Sequence, residues 1–250
     1  DIHRLTALLH FGADLPGNLL IGNLALSQFV NAGELISAKE SDYPTLARHA
    51  TEGDIPGSSA GGEQPKFTCF NGRHLIVKFT QRGGDTSRRW RDLLRCEHLA
   101  LETLREFGIA AANSRIVDVG EQRFLEVERF DREGERGRIA VISLRAFDME
   151  YVGMADRSWP EVVTELGKVR VNAKRVISEA AENQARLLWA FGRLIGNTDM
   201  HLGNLSFVSE HGMPYEIAPC YDMLPMAFAP KSGGMIPDTL PETEITGVVS

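Results

Sequence analysis

The stretch GNTDMHLGNLSF, residues 196 to 207, carries side chains suited to chemistry. Asp199 and Asn204 stand five residues apart with His201 between them, and a second aspartate, Asp222, follows in CYDMLP. A carboxylate can accept the proton of a substrate hydroxyl, and oxygen atoms are the ligands that Mg²⁺ prefers. Together these side chains are typical of phosphoryl transfer from a nucleotide whose phosphates complete the shell of the metal.

His201 has two interpretations. It can brace the loop by hydrogen bonding, or it can be a metal ligand together with Asp199. No second histidine accompanies it at a spacing such as H-x3-H, and paired ligands of that kind are what metal-binding helices usually supply. We therefore favour bracing. The Asp–Asn spacing alone arises often by chance, so the elements around it must decide.

The loop is predicted to follow a long helix. Ser178 is a suitable N-cap, and EAAENQARLLWAFGRLIG after it is apolar on most of its surface, which predicts a helix buried all round. After the loop, NLSFV and PYEIA flank SEHGM as two short strands. Asp222 then lies just beyond this predicted hairpin.

The first half of the chain reads mainly as strands around one helix. HLIVKFT (74–80) predicts a buried strand, and residues 87–107 predict a helix stopped by Gly108. SRIVDVG and RFLEVERF predict a hairpin that turns near Gly120. SSAGGEQPKF predicts a loop, whose Gly61 and Gly62 could bring backbone amides close to phosphate oxygens. The first 50 residues show no pattern that assigns them.

Two charges interrupt these apolar elements. Apolar side chains of the predicted helix recur at helical spacing, namely at Trp90, Leu94, Leu101 and Leu104. Glu97 stands within that stripe, and Lys78 stands within LIVKF. A buried carboxylate is costly unless a cation meets it, so we predict that the two side chains pair. The alternative is a lysine that reaches to solvent and a half-exposed glutamate.

Composition limits the classes of protein. The chain has 250 residues, a net charge of −7, three scattered cysteines and no apolar run of the roughly 18 residues that a membrane span needs. Five arginines between Arg82 and Arg95 are typical of a solvated helix face. We expect a cytoplasmic protein with neither membrane contact nor direct binding of nucleic acid.

The order of elements predicts an α+β fold of two lobes with a cleft between them. The β-rich N-terminal lobe covers residues 1–134 and includes the predicted phosphate loop, and the mainly helical lobe with the Asp199 loop covers 135–250. The chain opens without methionine and stops at TEITGVVS without a clear helix end. We therefore expect a fragment whose C-terminal lobe is incomplete.

These pieces resemble the HipA-like serine/threonine kinases, the toxins of bacterial type II toxin–antitoxin systems. The resemblance is carried by SSAGGEQPKF, LIVKF, VERFDR, GNTDMHLGNLSF and YDMLP, in the order of the family, over roughly residues 55 to 228. It implies a protein-kinase-like fold and dependence on ATP and Mg²⁺. Gly203 departs from relatives that often carry a lysine before the asparagine.

The resemblance also implies roles for residues. Lys78 resembles the lysine that contacts ATP, with Glu97 as its partner, and Glu128 and Phe130 of VERF resemble the hinge that contacts adenine. Asp199 resembles the catalytic base.

Asn204 and Asp222 resemble the two metal ligands. Ser59, or its neighbour Ser58, matches the loop serine whose autophosphorylation inhibits such kinases. A phosphate there would put negative charge where the phosphates of ATP must lie.

The resemblance implies partners as well. The substrate would be a component of translation such as an aminoacyl-tRNA synthetase, and a HipB-like antitoxin would be expected. Three alternatives stay open: a small-molecule kinase of the aminoglycoside type, a metal-dependent nuclease or hydrolase using Asp199, His201 and Asp222, and a catalytically dead kinase-fold module that binds an antitoxin and DNA. The hydrolase leaves Lys78 and Glu97 unexplained.

Overall fold

The computed structural model of the chain describes residues 12–31, 37–53, 64–155, 157–209, 212–231 and 234–237. Within these ranges, none of the helices combines the length and the apolar character needed to cross a membrane.

One sheet of four antiparallel strands dominates the first half of the described chain. Its strands are β1 (Lys66–Phe70), β2 (His74–Phe79), β3 (Ser114–Val119) and β4 (Gln122–Glu128), in the order β1-β2-β4-β3. The β3–β4 hairpin turns at Gly120, whose φ of 59° favours glycine. The predicted strand at 74–80 and the predicted hairpin are therefore confirmed.

Helices cover both faces of this sheet. Alternate side chains of β1 and β2, among them Phe67, Val77 and Phe79, pack with Tyr43 of the helix α2 (Tyr43–Glu52). The shorter helix α1 (Asn23–Val30) precedes α2 in the chain. Neither helix was assigned from the sequence.

Helix α3 (Gly84–Glu106) covers the other face of the sheet. Its stripe is buried at Leu94, Leu101 and Leu104, and Gly108 follows with a φ of 75°. The predicted helix over 87–107 is thus confirmed with a start three residues earlier. Because side chains alternate along a strand, Lys78 lies between two residues that face α2 and itself faces α3.

The second half of the described chain contains short strands and helices. Its elements are the hairpin of β5 (Arg132–Glu133) and β6 (Gly137–Arg138), then β7 (Val141–Ser143), α4 (Leu144–Phe147) with a π-helical turn (Asp148–Val152), α5 (Trp159–Leu166), the hairpin of β8 (Arg170–Val171) and β9 (Lys174–Arg175), α6 (Glu179–Leu194), β10 (Ser206–Val208) and β11 (Glu216–Ile217). Strands β11, β10 and β7 form a small antiparallel sheet. The predicted pair of short strands around residues 209–213 is confirmed.

Helix α6 begins as predicted and packs differently. Ser178 caps it, because its Oγ accepts a hydrogen bond from the backbone N–H of Ala181. The expectation of burial all round is wrong: α6 buries one face, while Leu187 and Leu194 are exposed. The buried face carries small residues, and at Gly192 an added Cβ would lie 2.4 Å from Sδ of Met200. The small residue at Gly192 therefore allows Met200 to pack closely against the helix.

The described chain therefore has the predicted α+β, two-lobed architecture. The sheet with α2 and α3 forms one lobe, and the core around Trp159, Leu166, Leu188 and Phe207 forms the other. The proposed boundary at 134 falls in the turn between β5 and β6. Its exact place stays a prediction.

Candidate functional site

Lys78 contacts two carboxylates at once. Its Nζ lies 2.6 and 2.9 Å from the two oxygens of Glu97 and 2.5 Å from Oδ1 of Asp222. The side chain of Glu97 is fully buried, whereas 34% of the Asp222 side chain is exposed. The pairing predicted for Lys78 and Glu97 is therefore present, and one lysine joins the sheet, α3 and the segment after β11.

The charges of this group shift one another's titration. Burial alone would lower the pKa of Lys78, but Asp222 and Glu97 outweigh it and raise that pKa above its usual value. Burial raises the pKa of Glu97 in spite of Lys78. The positive charge of Lys78 lowers the pKa of Asp222, against the effect of burial. Lys78 and Asp222 are accordingly charged at neutral pH.

The backbone at Asp222 is unusual. Its φ is 58°, in the left-handed region that residues other than glycine seldom adopt. Such conformations persist where surrounding contacts hold them and are common at functional sites. Here the contacts are the ion pair with Lys78 and a hydrogen bond of 3.3 Å in which Nδ2 of Asn197 donates to the carbonyl of Asp222.

The loop after α6 is joined to this segment through Asn197. Oδ1 of Asn197 accepts from the backbone N–H of Asp199 at 3.0 Å, while Nδ2 of Asn204 donates to the carbonyl of Asp199 at 2.8 Å. Met200 and Leu202 are buried between these polar residues. The backbone of Asp199 is thus held on both sides, and its side chain stands at the exposed surface of the loop.

His201 makes its polar contacts within the loop and with α5. Its Nδ1 accepts a hydrogen bond of 3.0 Å from the N–H of Gly203, and its carbonyl accepts one of 3.0 Å from Nε1 of Trp159. A Cβ on Gly203 would lie 2.9 Å from the His201 ring. This geometry agrees with the bracing interpretation and gives Gly203 a local steric role.

The predicted hinge residues, Glu128 and Phe130, lie at the end of β4 and just after it. The carboxylate of Glu128 accepts hydrogen bonds from Arg73 at 3.2 Å and from Asn113 at 3.3 Å. The ring of Phe130 packs 5.7 Å, centroid to centroid, from the ring of Tyr221. Since Tyr221 precedes Asp222, the structure brings the predicted hinge close to the segment that carries the Lys78 contact.

A groove of about 660 Å³ lies behind α3, between that helix and the end of α6. Its walls are mainly apolar, with a few polar groups, and are formed by Arg89, Asp92, Leu93, Cys96, Leu99, Ala100, Thr103, Phe191, Ile195, Pro225 and Phe228. Arg89 spans the two sides, because its Nη1 donates to the carbonyl of Phe228 at 2.9 Å.

Comparison with known proteins assigns the chain that carries these features to a protein family. The family described as the HipA-like C-terminal domain matches residues 58–247, which include Lys78, Glu97, the loop after α6 and Asp222. The chain belongs to the HipA-like family.

Individual relatives agree with this membership. The chain is 39% identical to the toxin YjjJ of Escherichia coli strain K12, over 96% of this chain and 55% of that protein. It is 30% identical to the serine/threonine-protein kinase toxin HipA of Shewanella oneidensis, over 78% of this chain and 49% of that protein. The HipA-like chain thus spans about half the length of these curated relatives.

A solved structure shows the shared fold. It contains HipA and HipB of Shewanella oneidensis MR-1 with operator DNA, and the matching chain superposes with a TM-score of 0.63. That match covers 89% of this chain and 57% of the other at 21% identity. The fold of this HipA-like chain is therefore that of HipA.

Two residues of the HipA-like site were missed from the sequence. Lys66 pairs with Lys78 in the register of β1 and β2, and its charge lowers the pKa of Asp222. Asn197 is buried where α6 ends. Lys66 begins β1 and Asn197 follows α6, and neither residue interrupts an apolar pattern, so the sequence carried no signal for either.

Tyr221 was also missed, although it stands next to Asp222. Its hydroxyl donates to the carbonyl of Gly203 at 3.0 Å and lies 2.7 Å from Oγ of Ser206. Burial raises the pKa of Tyr221 to about 12. The phenol therefore joins the loop after α6 to the Asp222 segment as a neutral donor.

Four predicted residues of the HipA-like loop lie outside the described residues. These are Ser58, Ser59, Gly61 and Gly62.

Proposed function

We propose that this HipA-like chain is the catalytic part of an ATP- and Mg²⁺-dependent serine/threonine protein kinase. The observation that carries the proposal is the contact of Lys78 with both Glu97 and Asp222, together with the tie between Asp222 and the Asp199 loop through Asn197. A lysine from the sheet, paired to a glutamate of the adjacent helix, is the device with which protein kinases hold nucleotide phosphates.

The donor set fits a nucleotide with its metal. Lys78 supplies a cation for phosphate oxygens, while Asp222 and Asn204 supply the carboxylate and amide oxygens that Mg²⁺ prefers. Nδ2 of Asn204 donates a hydrogen bond to the carbonyl of Asp199. This bond orients the amide of Asn204 and leaves the Oδ1 atom of Asn204 available as the metal ligand. Bound Mg²⁺ would neutralise charge on the phosphates of ATP.

Asp199 would act as the catalytic base toward a serine or threonine hydroxyl. Its backbone is held by Asn197 and Asn204, so the position of this residue in the loop is set before the substrate arrives. In this proposal Glu128 and Phe130 contact adenine through the hinge, and His201 braces the loop. Autophosphorylation of Ser58 or Ser59 would inhibit the enzyme by the charge argument above.

The names of the relatives support a role as a toxin. One relative is a toxin, another is a serine/threonine-protein kinase toxin, and the similar structure is a toxin–antitoxin complex of HipA, HipB and DNA. We propose that the protein containing this chain phosphorylates a component of translation, such as an aminoacyl-tRNA synthetase, and has a HipB-like antitoxin. Residues 1–134 and 135–250 would be its two lobes.

Transfer of label from γ-labelled ATP in the presence of Mg²⁺ tests the activity. We expect the chain to label itself, and Asp199→Asn to reduce the rate by roughly 10²- to 10⁴-fold. Asp85→Asn is the matched control, since Asp85 is an exposed aspartate in the first turn of α3. Absence of label on the wild-type chain and on added protein substrates contradicts the proposal. Cleavage of nucleic acid that survives Lys78→Ala would favour the hydrolase instead.

A further inference from the structure

The segment of residues 13–19, which we name the N-terminal strap, is bonded to the hinge region. The backbone N–H of Gly17 donates to Oδ2 of Asp131 at 2.8 Å. Gly17 has a φ of 71°, and an added Cβ would lie 2.8 Å from the backbone nitrogen of Val141. Only glycine is therefore accommodated where the strap meets β7.

Asp14 of the strap pairs with two arginines from the hinge region. Its Oδ1 lies 2.6 Å from Nη1 of Arg129 and 2.9 Å from Nη2 of Arg132. Asp131 is the other acid of the cluster, and it accepts from Nε and Nη2 of Arg129, both at 2.9 Å, and from Nη1 of Arg132 at 2.8 Å. These charged hydrogen bonds hold the strap and the hinge as one unit.

Backbone carbonyls of the strap complete the coordination of the arginines. Arg132 donates to the carbonyls of Leu15 and Gly17, both at 2.9 Å, and Arg138 donates to the carbonyl of Ala13 at 2.6 Å. The strap thus satisfies donors that the hinge does not satisfy itself. Removal of these contacts would leave buried guanidinium N–H groups without partners.

The charge balance depends on Asp14. The side chains of Arg129 and Arg132 are only 6% and 3% exposed, and Asp14 and Asp131 supply the two opposing charges. Without Asp14, two buried cations would share one carboxylate. Arg129 also stands between Glu128 and Phe130, and its N–H donates to the carbonyl of His74 at 2.9 Å.

We propose that the N-terminal strap positions the hinge for the nucleotide, with Asp14 acting through Arg129 and Arg132 as a positioning residue. This inference rests on the proposed function, in which Glu128 and Phe130 contact adenine. The charged cluster keeps the hinge backbone in one conformation before the nucleotide binds. Loss of the strap contacts leaves the Lys78 cluster and the Asp199 loop intact and weakens nucleotide binding.

The test compares wild type with Asp14→Asn by two measurements. The first is the dissociation constant for trinitrophenyl-ATP with Mg²⁺, which we expect to rise about tenfold. The second is hydrogen–deuterium exchange of peptides over residues 128–132, which we expect to become faster without nucleotide. In kinetic assays KM for ATP should rise while kcat changes less than twofold, whereas partial unfolding would lower kcat. Asp14→Glu should restore part of the affinity.

Asp42→Asn is the matched control, because Asp42 is an exposed aspartate that accepts from the backbone N–H of Lys39 at 2.8 Å. It should change neither measurement. A second variant, Gly17→Ala, disturbs the strap without altering a charge and should reproduce the effects of Asp14→Asn. Equal nucleotide affinity, or equal exchange at the hinge, in wild type and both strap variants overturns the inference. A wild-type chain that binds no nucleotide overturns the proposed function itself.

Discussion

At the scale of residues, the shared lysine determines the charge state of the site. Lys78 offsets the repulsion between Glu97 and Asp222, which both lie within 3 Å of its Nζ. Burial raises the pKa of Glu97 while Lys78 lowers that of Asp222, so Asp222 is the more acidic of the two. The more exposed carboxylate therefore keeps its charge, as the metal ligand proposed here must.

Replacement of the shared lysine should make stability depend on pH. In Lys78→Met, Glu97 loses its cation, and its pKa, already raised by burial, rises further. A group with a raised folded pKa stabilises the protein at low pH, and that contribution is lost as pH rises through the folded pKa. We expect a loss of about 3–5 kcal/mol at neutral pH and less near pH 5. Urea unfolding at both pH values measures this.

Lys174→Met is the control for this experiment, because Lys174 is an exposed lysine of β9. If Lys78→Met loses the same unfolding free energy, relative to wild type, at both pH values, that result contradicts the assignment of charges.

Sequence predicts some of these residues and not others for a physical reason. Lys78 and Glu97 each interrupt an apolar pattern, and a charge in such a place requires a partner. Lys66 and Asn197 lie where elements begin or end, and a polar residue there is equally suited to solvent. Arg129 and Asp131 stood in VERFDR without any sign that residues near the N-terminus would neutralise them.

At the scale of elements, the N-cap of α6 controls the helix that leads to the Asp199 loop. Ser178 Oγ accepts from the N–H of Ala181 at 2.9 Å and donates to Oε2 of Glu216 at 2.7 Å. Ser178→Ala should reduce the free energy of unfolding by about 1 kcal/mol, and Ser178→Asn should retain most of it. Equilibrium denaturation measures both variants, and equal losses would mean that the cap contributes nothing.

The N-terminal strap should be sensitive to acid. Arginines lower the pKa of both Asp14 and Asp131, against the effect of burial. A lowered folded pKa contributes stability that is present above the unfolded value, 3.8 for aspartate, and is lost as pH falls through the folded value. His74 and Arg138 lie beside these groups and are themselves affected by their charges.

We expect the unfolding free energy of wild type to fall below about pH 4 more steeply than that of Asp14→Asn. Thermal denaturation at several pH values between about 2.5 and 6 measures the difference. Parallel curves for the two proteins would show that Asp14 does not contribute.

Helices and strands were predicted correctly where a regular spacing of apolar residues continued along the segment. Helix α3 and strand β2 followed from clear spacing of apolar residues, whereas α1 and α2 lie among short apolar runs with Gly and Pro. The error in α6 has a different origin. Its apolar residues surround the helix, but a helix near the surface buries one face and leaves others exposed, as Leu187 shows.

At the scale of the whole molecule, side-chain contacts of the sheet and of α3 help to join the lobes near the site. Lys78 of the sheet contacts Asp222, and Arg89 of α3 contacts the carbonyl of Phe228. Both contacts end on the segment after β11. The position of that segment relative to the sheet is a long-range relation of 144 residues, which local patterns in a sequence do not encode.

Nucleotide should stabilise the molecule as a unit, because it would contact groups from both lobes. At a concentration one hundred times the dissociation constant, binding adds about 2.7 kcal/mol. For a chain of this size we expect Tm to rise by roughly 5–10 °C with ATP and Mg²⁺. Asp222→Asn should abolish the part of the rise that requires Mg²⁺, while Asp118→Asn, an exposed pair with Arg123, should not. Differential scanning calorimetry measures the shifts.

The groove behind α3 has a practical consequence. Cys96 lines it and is exposed, whereas Cys69 and Cys220 are buried. Burial, with the neighbouring Asp92, raises the pKa of the Cys96 thiol, so mildly alkaline solution favours its reaction. A maleimide dye would then attach at this one position without any mutation. Because the dye would sit one residue from Glu97, its emission would report any change around Glu97 when ATP and Mg²⁺ are added.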